Sequence, residues 1–240
     1  MSDMLLSSFA SLLDDVEQVR KSTNNRIRIL TTSEPDSDGV VRGFGFGENN
    51  RSVQILRYLA EDLDSFEADV VKELQKIMRE HPLGPWVKAQ KGVGEKQAAR
   101  LLAAIGDPYW IEEAEFEDDE GNITYREARA RTVSELWAYA GLHVDRDANT
   151  AVRRKKGVQS NWKTEIKTRA YLVATSCIKN MESPYRKVYD ARREHTAATH
   201  PDWTPGHSHN DALRIVSKQL LKDMWMEAKR IREENNDKQA

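Results

Sequence analysis

Hydrophobic residues near the N-terminus recur at alternating intervals of four and three, which is the spacing of one face of an α-helix. In the segment 4–30 these positions are Leu5, Phe9, Leu12, Val16 and Val19. A second helical series follows a polar loop and is formed by Leu56, Leu59, Leu63, Phe66, Val70, Leu74 and Ile77. The two patterns predict a pair of long antiparallel helices, either a coiled coil completed by a second chain or two ordinary bundle helices of one domain.

Two prolines end the second series and predict a domain boundary. Pro82 and Pro85 each lack a backbone N–H, and each disfavours helical geometry in the residue before it. Residues 1–82 are therefore interpreted as a helical hairpin or coiled coil that dimerises. The segment 83–233 is interpreted as a second, helical domain, and 234–240 as a disordered tail.

Helical periodicity continues through the segment 83–233. A helix after a turn at 92–94 is predicted to bury Ala98, Leu101, Leu102 and Ile105. Further helices are predicted from Ser134 to Gly141, over 163–181, over 184–196 behind Pro184, and over 208–233 with Ser208 and Asp211 as a capping box.

One stretch of this segment has a different pattern. In "AEFEDDEGNITYREA" an Asp-Glu-Gly-Asn turn separates "EFE" from "ITY", which predicts a β-hairpin. The predicted fold class is therefore mainly α: a long N-terminal helical hairpin, followed by a helical domain that contains a helix-hairpin-helix and a small β-hairpin insertion.

The distribution of charge is more informative than the net charge of −2. Residues 111–128 hold eight acidic residues against Arg126 alone, whereas residues 151–180 hold eight basic residues against Glu165 alone. The second segment predicts a local positive field that attracts a polyanion. No run approaches the roughly 20 apolar residues of a membrane span, and a single cysteine, Cys177, forms no internal disulfide, so a cytoplasmic location is expected.

The segment "KGVGEKQAARLLAAIGDP", residues 91–108, has the features of a helix-hairpin-helix element that binds DNA. A Gly-Val-Gly turn lets backbone N–H groups at the start of the next helix approach a phosphate with no Cβ in the way. Nearby cations add to the helix dipole. The candidate DNA-binding residues are Lys91, Gly92, Val93, Gly94, Lys96 and Arg100. The alternative is a tight corner between two helices without a ligand.

A second candidate for binding is the run of four cations formed by Arg153, Arg154, Lys155 and Lys156, followed by Trp162. A basic loop with an aromatic ring can hold a nucleic-acid backbone and stack a base. The alternative is a solvated surface loop.

The sequence gives weaker indications of a metal site and of a catalytic nucleophile. His195, His200, His207 and His209 cluster with two aspartates, but their spacing matches no metal motif, and a polar loop explains them better. No metal or cofactor is therefore expected. Hydroxyl nucleophiles are available at Thr150 and Ser160, with no paired base nearby in sequence.

Two motifs together resemble a known family. "GPWVKAQKGVGEKQAARLLAAIGDP", followed after a spacer by "SELWAYAGL", is similar to the C-terminal domain of the one-ten type insertion-sequence transposases, the bridge-RNA-guided recombinases. "SPYRKVYDARR" and "NDALRIVSKQLLKDMW" resemble the closing helices of that domain. The resemblance covers about residues 82–230, and the N-terminal helices are similar in kind to the coiled coil that precedes the domain in the family.

The chain also departs from this family. The family begins with a RuvC-like nuclease domain carrying four acidic metal ligands, and residues 1–80 do not supply one. Its catalytic serine follows the A-Y-A-G-L segment, but here the loop "HVDRDANTAVRRKKG" contains no serine. Thr150 lies nearest the expected place, and no catalytic residue is carried over. The acidic hairpin is an insertion relative to the family.

The resemblance and the motifs together predict a DNA-binding protein that contacts the phosphate backbone, dimerises through its N-terminal helices and does not transpose on its own. An RNA partner is left open, and no membrane association is expected. Two alternatives remain: an active recombinase subunit that uses Thr150 or Ser160, and an interaction protein that binds no nucleic acid.

Overall fold

The computed structural model describes residues 2–117, 121–145 and 150–238, and confirms that the chain is mainly helical. The described residues form eight helices, with six short strands that pair two by two. The chain divides into two compact units, residues 3–77 and the residues from Met78 onward, whereas the sequence placed the boundary after residue 82.

The first unit is an antiparallel pair of long helices. Helix α1 spans Ser2–Thr31 and helix α2 spans Arg51–Glu80. Arg20 Nε donates to Glu67 Oε2 at 2.6 Å and joins the two helices near their middle. The connecting loop returns along the end of α1, where the Phe44 N–H donates to the Ile29 carbonyl at 3.0 Å.

The predicted buried face of α1 is confirmed at Val16, which is 6% exposed, and is wrong by one residue at its leucines. Leu6 and Leu13 are buried, while Leu5, Leu12 and Val19 are 46%, 37% and 50% exposed. Because Leu5 and Leu12 each precede another leucine, the spacing alone could not decide which of the two adjacent residues faces α2. These three exposed apolar residues of α1 recur every seven positions.

Helix α2 shows the same division of its apolar residues. Val70, Leu74 and Ile77 are buried as predicted, but Leu59 and Phe66 are each 48% exposed. Each residue advances an α-helix by about 100°. Viewed along the chain direction, the exposed apolar residues of each helix therefore lie about a quarter turn from its buried face, and they lie on the same side of it in both helices. In an antiparallel pair this places the two exposed series on one side of the hairpin, and we call them the apolar face: Leu5, Leu12, Val19, Leu59 and Phe66.

The second unit packs six helices and three small strand pairs in the part of the chain that the structure describes. The helices are α3 Gly84–Ala89, α4 Glu95–Ile105, α5 Val133–Tyr139, α6 Thr164–Lys179, α7 Pro184–Thr199 and α8 Pro205–Asp237. The predicted inner face of α4 is confirmed, because Ala98, Leu101, Leu102 and Ile105 are all buried. Helix α8 continues through residues 234–237, which the sequence analysis assigned to a disordered tail.

The predicted β-hairpin is also present. Strand β2, Ala114–Glu117, pairs antiparallel with β3, Ile123–Arg126, and residues 118–120 of the turn lie outside the described residues. The flanking pair β1, Trp110–Ile111, and β4, Arg129–Ala130, extends the same arm. The third pair joins β5, Val144–Asp145, to β6, Thr150–Ala151.

Two helix starts differ from the prediction. Helix α5, Val133–Tyr139, is capped by Thr132 in a reciprocal capping box with Glu135, so the cap is not Ser134. Hydrogen bonds from Arg129 and from the Thr132 backbone lower the pKa of Glu135 to about 2. Helix α8 is capped by Thr204 and begins at Pro205, three residues before Ser208.

Ser208 and Asp211 therefore have roles other than capping. Ser208 is buried and hydrogen-bonded to Thr196 on α7, with 2.6 Å between the hydroxyl oxygens. Asp211 accepts from Arg192 Nε at 2.6 Å and from Arg214 at 3.0 Å. These contacts join α7 to α8.

Among the described residues, no helix contains a stretch both long enough and apolar enough to cross a membrane.

The ion pair at Asp211 predicts an acid-sensitive fold. Burial alone would raise the pKa of Asp211, but hydrogen bonds from Arg192 and Arg214 outweigh it and hold the pKa below its usual range. A carboxylate with a lowered pKa stabilises the folded state fully above its unfolded pKa of about 4, and this contribution is lost as the pH falls through the folded value. Asp211→Asn should lower the free energy of unfolding at pH 7 by about 1 to 3 kcal/mol and flatten its dependence on pH below about 4.

Urea unfolding at a series of pH values measures both effects. Asp202→Asn is the matched control, because Asp202 is an exposed aspartate in the loop before α8. If the two variants show the same acid dependence, Asp211 does not stabilise the α7–α8 contact in this way.

Candidate nucleic-acid interface

The two glycines of the predicted Gly-Val-Gly turn have different surroundings. Gly92 has φ +90°, and a Cβ built on it would lie 2.8 Å from the Cα of Cys177 in α6. Val93 between the glycines is buried. The first glycine is therefore required by the close approach of the turn to α6, which corrects the expectation that both glycines make room for phosphate.

Gly94 retains the open geometry that the sequence suggested. It is the N-cap of α4 with φ −81°, and a Cβ built on it would have no neighbour within 4 Å. The surface beside the first turn of α4 is therefore open at this point. Unpaired N–H groups at a helix start favour an anion in such a place.

The cations near the turn are less available than expected. Arg100 is only 5% exposed, because it lies on the inner side of α4, and so it cannot contact a phosphate at the surface as predicted. Lys91 is exposed and forms an ion pair with Glu182. Glu95, in the first turn of α4, pairs with Arg79 at 2.7 Å. A phosphate at Gly94 would therefore meet Lys96, which is half-buried, more readily than Arg100.

The basic loop, residues 152–163, carries the four predicted cations on its surface. Arg153, Arg154, Lys155 and Lys156 are all exposed, and within the described part of the chain none of them forms an ion pair. Elsewhere in the same unit, exposed arginines such as Arg129 and Arg230 pair with a nearby carboxylate. The loop is therefore a local excess of positive charge.

Two further lysines tie the basic loop to the helical core. Lys163 Nζ donates to the Ala104 carbonyl at 2.8 Å, near the end of α4. Lys167 Nζ donates to the Val152 carbonyl at 3.0 Å. These two cations hold the loop in place, while the run at 153–156 remains on the outside.

Trp162 also anchors the loop, and since its side chain is half-buried, the stacking of a base on its ring stays a prediction. A Cβ built on Gly141 would lie 2.3 Å from Cδ1 of the indole, so the ring covers this glycine closely. The rings of His143 and Trp162 meet edge to face with 6.1 Å between centroids, and Lys167 Nζ lies 5.8 Å from the indole centroid. These neighbours fix the position of the indole, which also lines the cavity described next.

The structure brings the two candidate hydroxyl nucleophiles together. Thr150 and Ser160 line one cavity of about 500 Å³, together with Asp145, Arg153 and Lys155. Residues 146–149, between β5 and β6, lie outside the described residues. The cavity places hydroxyl, carboxylate and cationic groups around a common space, although the hydroxyls are separated in sequence.

The turn and the basic loop lie at opposite ends of two antiparallel helices. The start of α4 adjoins Cys177 near the end of α6, and the end of α4 adjoins Lys163 immediately before α6. Helix α4 has 11 residues, and at 1.5 Å per residue it places the Lys163 anchor of the basic loop about 16 Å from the turn. Both can contact one duplex only at different phosphates.

A groove between α6 and α8 was not predicted. It has a volume of about 280 Å³, and α8 contributes one stripe of residues at helical spacing. The sequence predicted a polar loop at His207 and a cap at Asp211, and it assigned no role to Asn210 and Arg214 of the same stripe. The residues that line the groove include Leu142, Val152, Arg153, Lys167, Tyr171, His207, Asn210, Asp211 and Arg214.

The histidine cluster forms aromatic stacks. The rings of His200 and His207 lie on either side of Trp203, each 4.2 Å from it between centroids and nearly parallel. His209 contacts Tyr189, with 2.7 Å between the ring nitrogen and the hydroxyl oxygen. Within residues 2–117, 121–145 and 150–238, no three His, Cys, Asp or Glu side chains are grouped as metal ligands.

Comparison with known proteins adds no assignment to this geometry. No established family model matches the chain, and no well-characterised protein shows significant sequence similarity to it.

The unequal glycines give a direct test of the turn. Gly92→Ala should lower the free energy of unfolding by about 2 kcal/mol or more, because it adds both an unfavourable φ and a steric conflict with α6. Gly94→Ala is the matched control and should cost less than about 1 kcal/mol, since φ is ordinary and the space is open. Urea denaturation of the two variants measures the difference, and equal losses would contradict the close approach of Gly92 to Cys177.

Proposed function

We propose that this protein binds DNA through the phosphate backbone, as a cytoplasmic protein related in function to the C-terminal domain of a transposase. The observation that carries the proposal is the basic loop, where four consecutive cations are exposed without an ion pair in the described part of the chain. Such a cluster binds a polyanion by releasing condensed counterions, and it does so without reading sequence.

The open start of α4 supports a second backbone contact. Gly94 leaves space for a phosphate oxygen, and Lys96 lies in the same helical turn. The separation of about 16 Å along α4 is close to half of a B-DNA turn of about 34 Å. A duplex that touches both features would therefore be held at two points of its backbone.

Salt dependence tests this proposal. The triple variant Arg154→Gln, Lys155→Gln and Lys156→Gln should reduce the slope of log affinity against log salt by up to about 3, because each lost phosphate contact removes about 0.9. Fluorescence anisotropy of a labelled duplex between about 50 and 200 mM salt measures the slope.

The double variant Gly94→Val and Lys96→Glu should abolish the contact between DNA and the start of α4. The same anisotropy measurement tests this second contact.

A control with the same change in net charge distinguishes the loop from general electrostatics. Arg42, Lys72 and Lys76 are exposed cations of the first unit, and each pairs with a nearby carboxylate. Their substitution by Gln should leave the slope nearly unchanged. The proposal is rejected if both triple variants lose the same amount of slope. It is also rejected if the wild type shows no detectable binding, or binding that is insensitive to salt. Such results favour an interaction protein that binds no nucleic acid.

An active recombinase is the second candidate, because Thr150 and Ser160 share one cavity with Asp145 and two cations. In this case the protein would cleave or join DNA through one of the hydroxyls. Incubation with supercoiled DNA, followed by electrophoresis with and without protease, detects cleavage and covalent attachment. Activity that survives both Thr150→Ala and Ser160→Ala would exclude these nucleophiles.

We also propose that the first unit pairs with a second copy through the apolar face. Leu5, Leu12 and Val19 recur at seven-residue intervals, as the seam of a helical bundle requires. The charges of α1 favour antiparallel self-pairing. Residues 2–17 hold its acidic residues, Asp3, Asp14, Asp15 and Glu17, and residues 20–28 hold its basic residues, Arg20, Lys21, Arg26 and Arg28.

Leu12→Arg should therefore convert the dimer to a monomer, because it places a charge at the centre of the seam. Sedimentation equilibrium measures the mass in solution. Gln18→Arg is the matched control, since Gln18 is exposed on the side of α1 away from both the buried residues and the apolar face. A wild-type protein that sediments as a monomer at high concentration, or an equal effect of the two variants, would contradict this pairing.

A further inference from the structure

The groove between α6 and α8 carries more positive than negative charge. Arg153, Lys167 and Arg214 line it, and Asp211 is its only carboxylate among the described residues. Asp211 is already engaged, because it accepts from Arg192 of α7 at 2.6 Å and from Arg214 at 3.0 Å. The remaining charge of the groove favours an anion.

The cations of the groove are also crowded. Burial lowers the pKa of Lys167, and the neighbouring charges of Arg214 and Arg153 lower it further. A bound anion would offset this repulsion. Lys167 Nζ uses one hydrogen to hold the Val152 carbonyl at 3.0 Å, so its ammonium group still has hydrogens to donate.

Aromatic and apolar side chains line the same space. Tyr171 follows Lys167 by one helical turn on α6 and is 41% exposed. His207 lies on the α8 side, and Leu142 and Val152 provide apolar surface. Asn210 adds an amide that can both donate and accept. A ligand that satisfies all of these groups carries a negative charge beside a flat ring with hydrogen-bonding edges.

We propose that this groove binds one unstacked nucleotide of a nucleic-acid strand, with its phosphate at Arg153, Lys167 and Arg214 and its base against Tyr171. The volume of about 280 Å³ suits a single nucleotide and excludes a double helix. Aromatic side chains bind unstacked bases without strong sequence preference. The inference rests on the proposed binding of DNA and adds a preference for single-stranded segments.

The position of Arg153 indicates that the nucleotide belongs to a strand and is not a free metabolite. Arg153 lines the groove and is also the first cation of the basic loop, so a backbone held in the groove continues directly onto residues 154–156. The cavity that contains Thr150 and Ser160 shares Ala151, Val152 and Arg153 with the groove. A strand leaving the groove would pass beside these hydroxyls.

The test compares three probes with the full-length protein: a blunt duplex, the same duplex with a short single-stranded thymidine overhang, and free thymidine monophosphate. The wild type should bind the overhang duplex about tenfold more tightly than the blunt duplex, as expected for stacking of one base. Tyr171→Ala should remove this preference and leave the affinity for the blunt duplex unchanged. Tyr171→Phe should keep the preference, because the ring is retained.

Leu172→Ala is the matched control, since Leu172 is the next residue of α6 and is 38% exposed. Circular dichroism and urea unfolding verify that each variant folds. If the protein binds the blunt duplex but shows neither an overhang preference nor an effect of Tyr171→Ala, the groove inference fails alone. If no DNA binds, the proposed function fails with it. If free thymidine monophosphate competes as strongly as the overhang duplex, the groove binds a mononucleotide, and the inference that it binds a nucleic-acid strand is overturned.

Discussion

The arrangement of the second unit depends on one close contact, the approach of the Gly92 backbone to Cys177 near the end of α6. Because no side chain separates the turn from α6, helix α4 can pack antiparallel along α6. The small residues of α4, such as Ala98, are buried. Lys163 then meets the Ala104 carbonyl at the other end. The two contacts determine which ends of the helix pair carry the open start of α4 and the basic loop.

Some cations of the second unit are buried or hold backbone carbonyl groups, whereas others face solvent. The second group gives the surface at the basic loop its positive charge. Arg100 is buried in α4, and Lys163 and Lys167 hold backbone carbonyl groups. The run at 153–156 makes no such contact and faces solvent. The exposed β2–β3 arm bears acidic residues, so a polyanion would be attracted at one place and repelled at another. Such a distribution restricts the orientation of a partner, although the net charge of the chain is only −2.

Most helices could be predicted from the sequence, because apolar spacing and Pro or Gly at the ends act locally. The faces of α1 and α2 could not be predicted fully, since Leu5 and Leu6 are equally apolar and only the partner helix decides between them. The burial of Arg100 and the packing of Trp162 on Gly141 were missed for a similar reason. In each case a side chain with a typical binding role is placed by contacts distant in sequence.

The groove was least predictable, because its residues come from four separate segments of the chain. Its polar stripe on α8 is informative about function, since polar side chains between two helices contribute less to stability than apolar side chains that fill the same space. Residues such as Lys167 and Arg214 repel each other there, and the repulsion is only partly offset by Asp211. A chain selected for stability alone would close this space with apolar residues. An open, positively charged groove beside the basic loop therefore favours a ligand over a packing role.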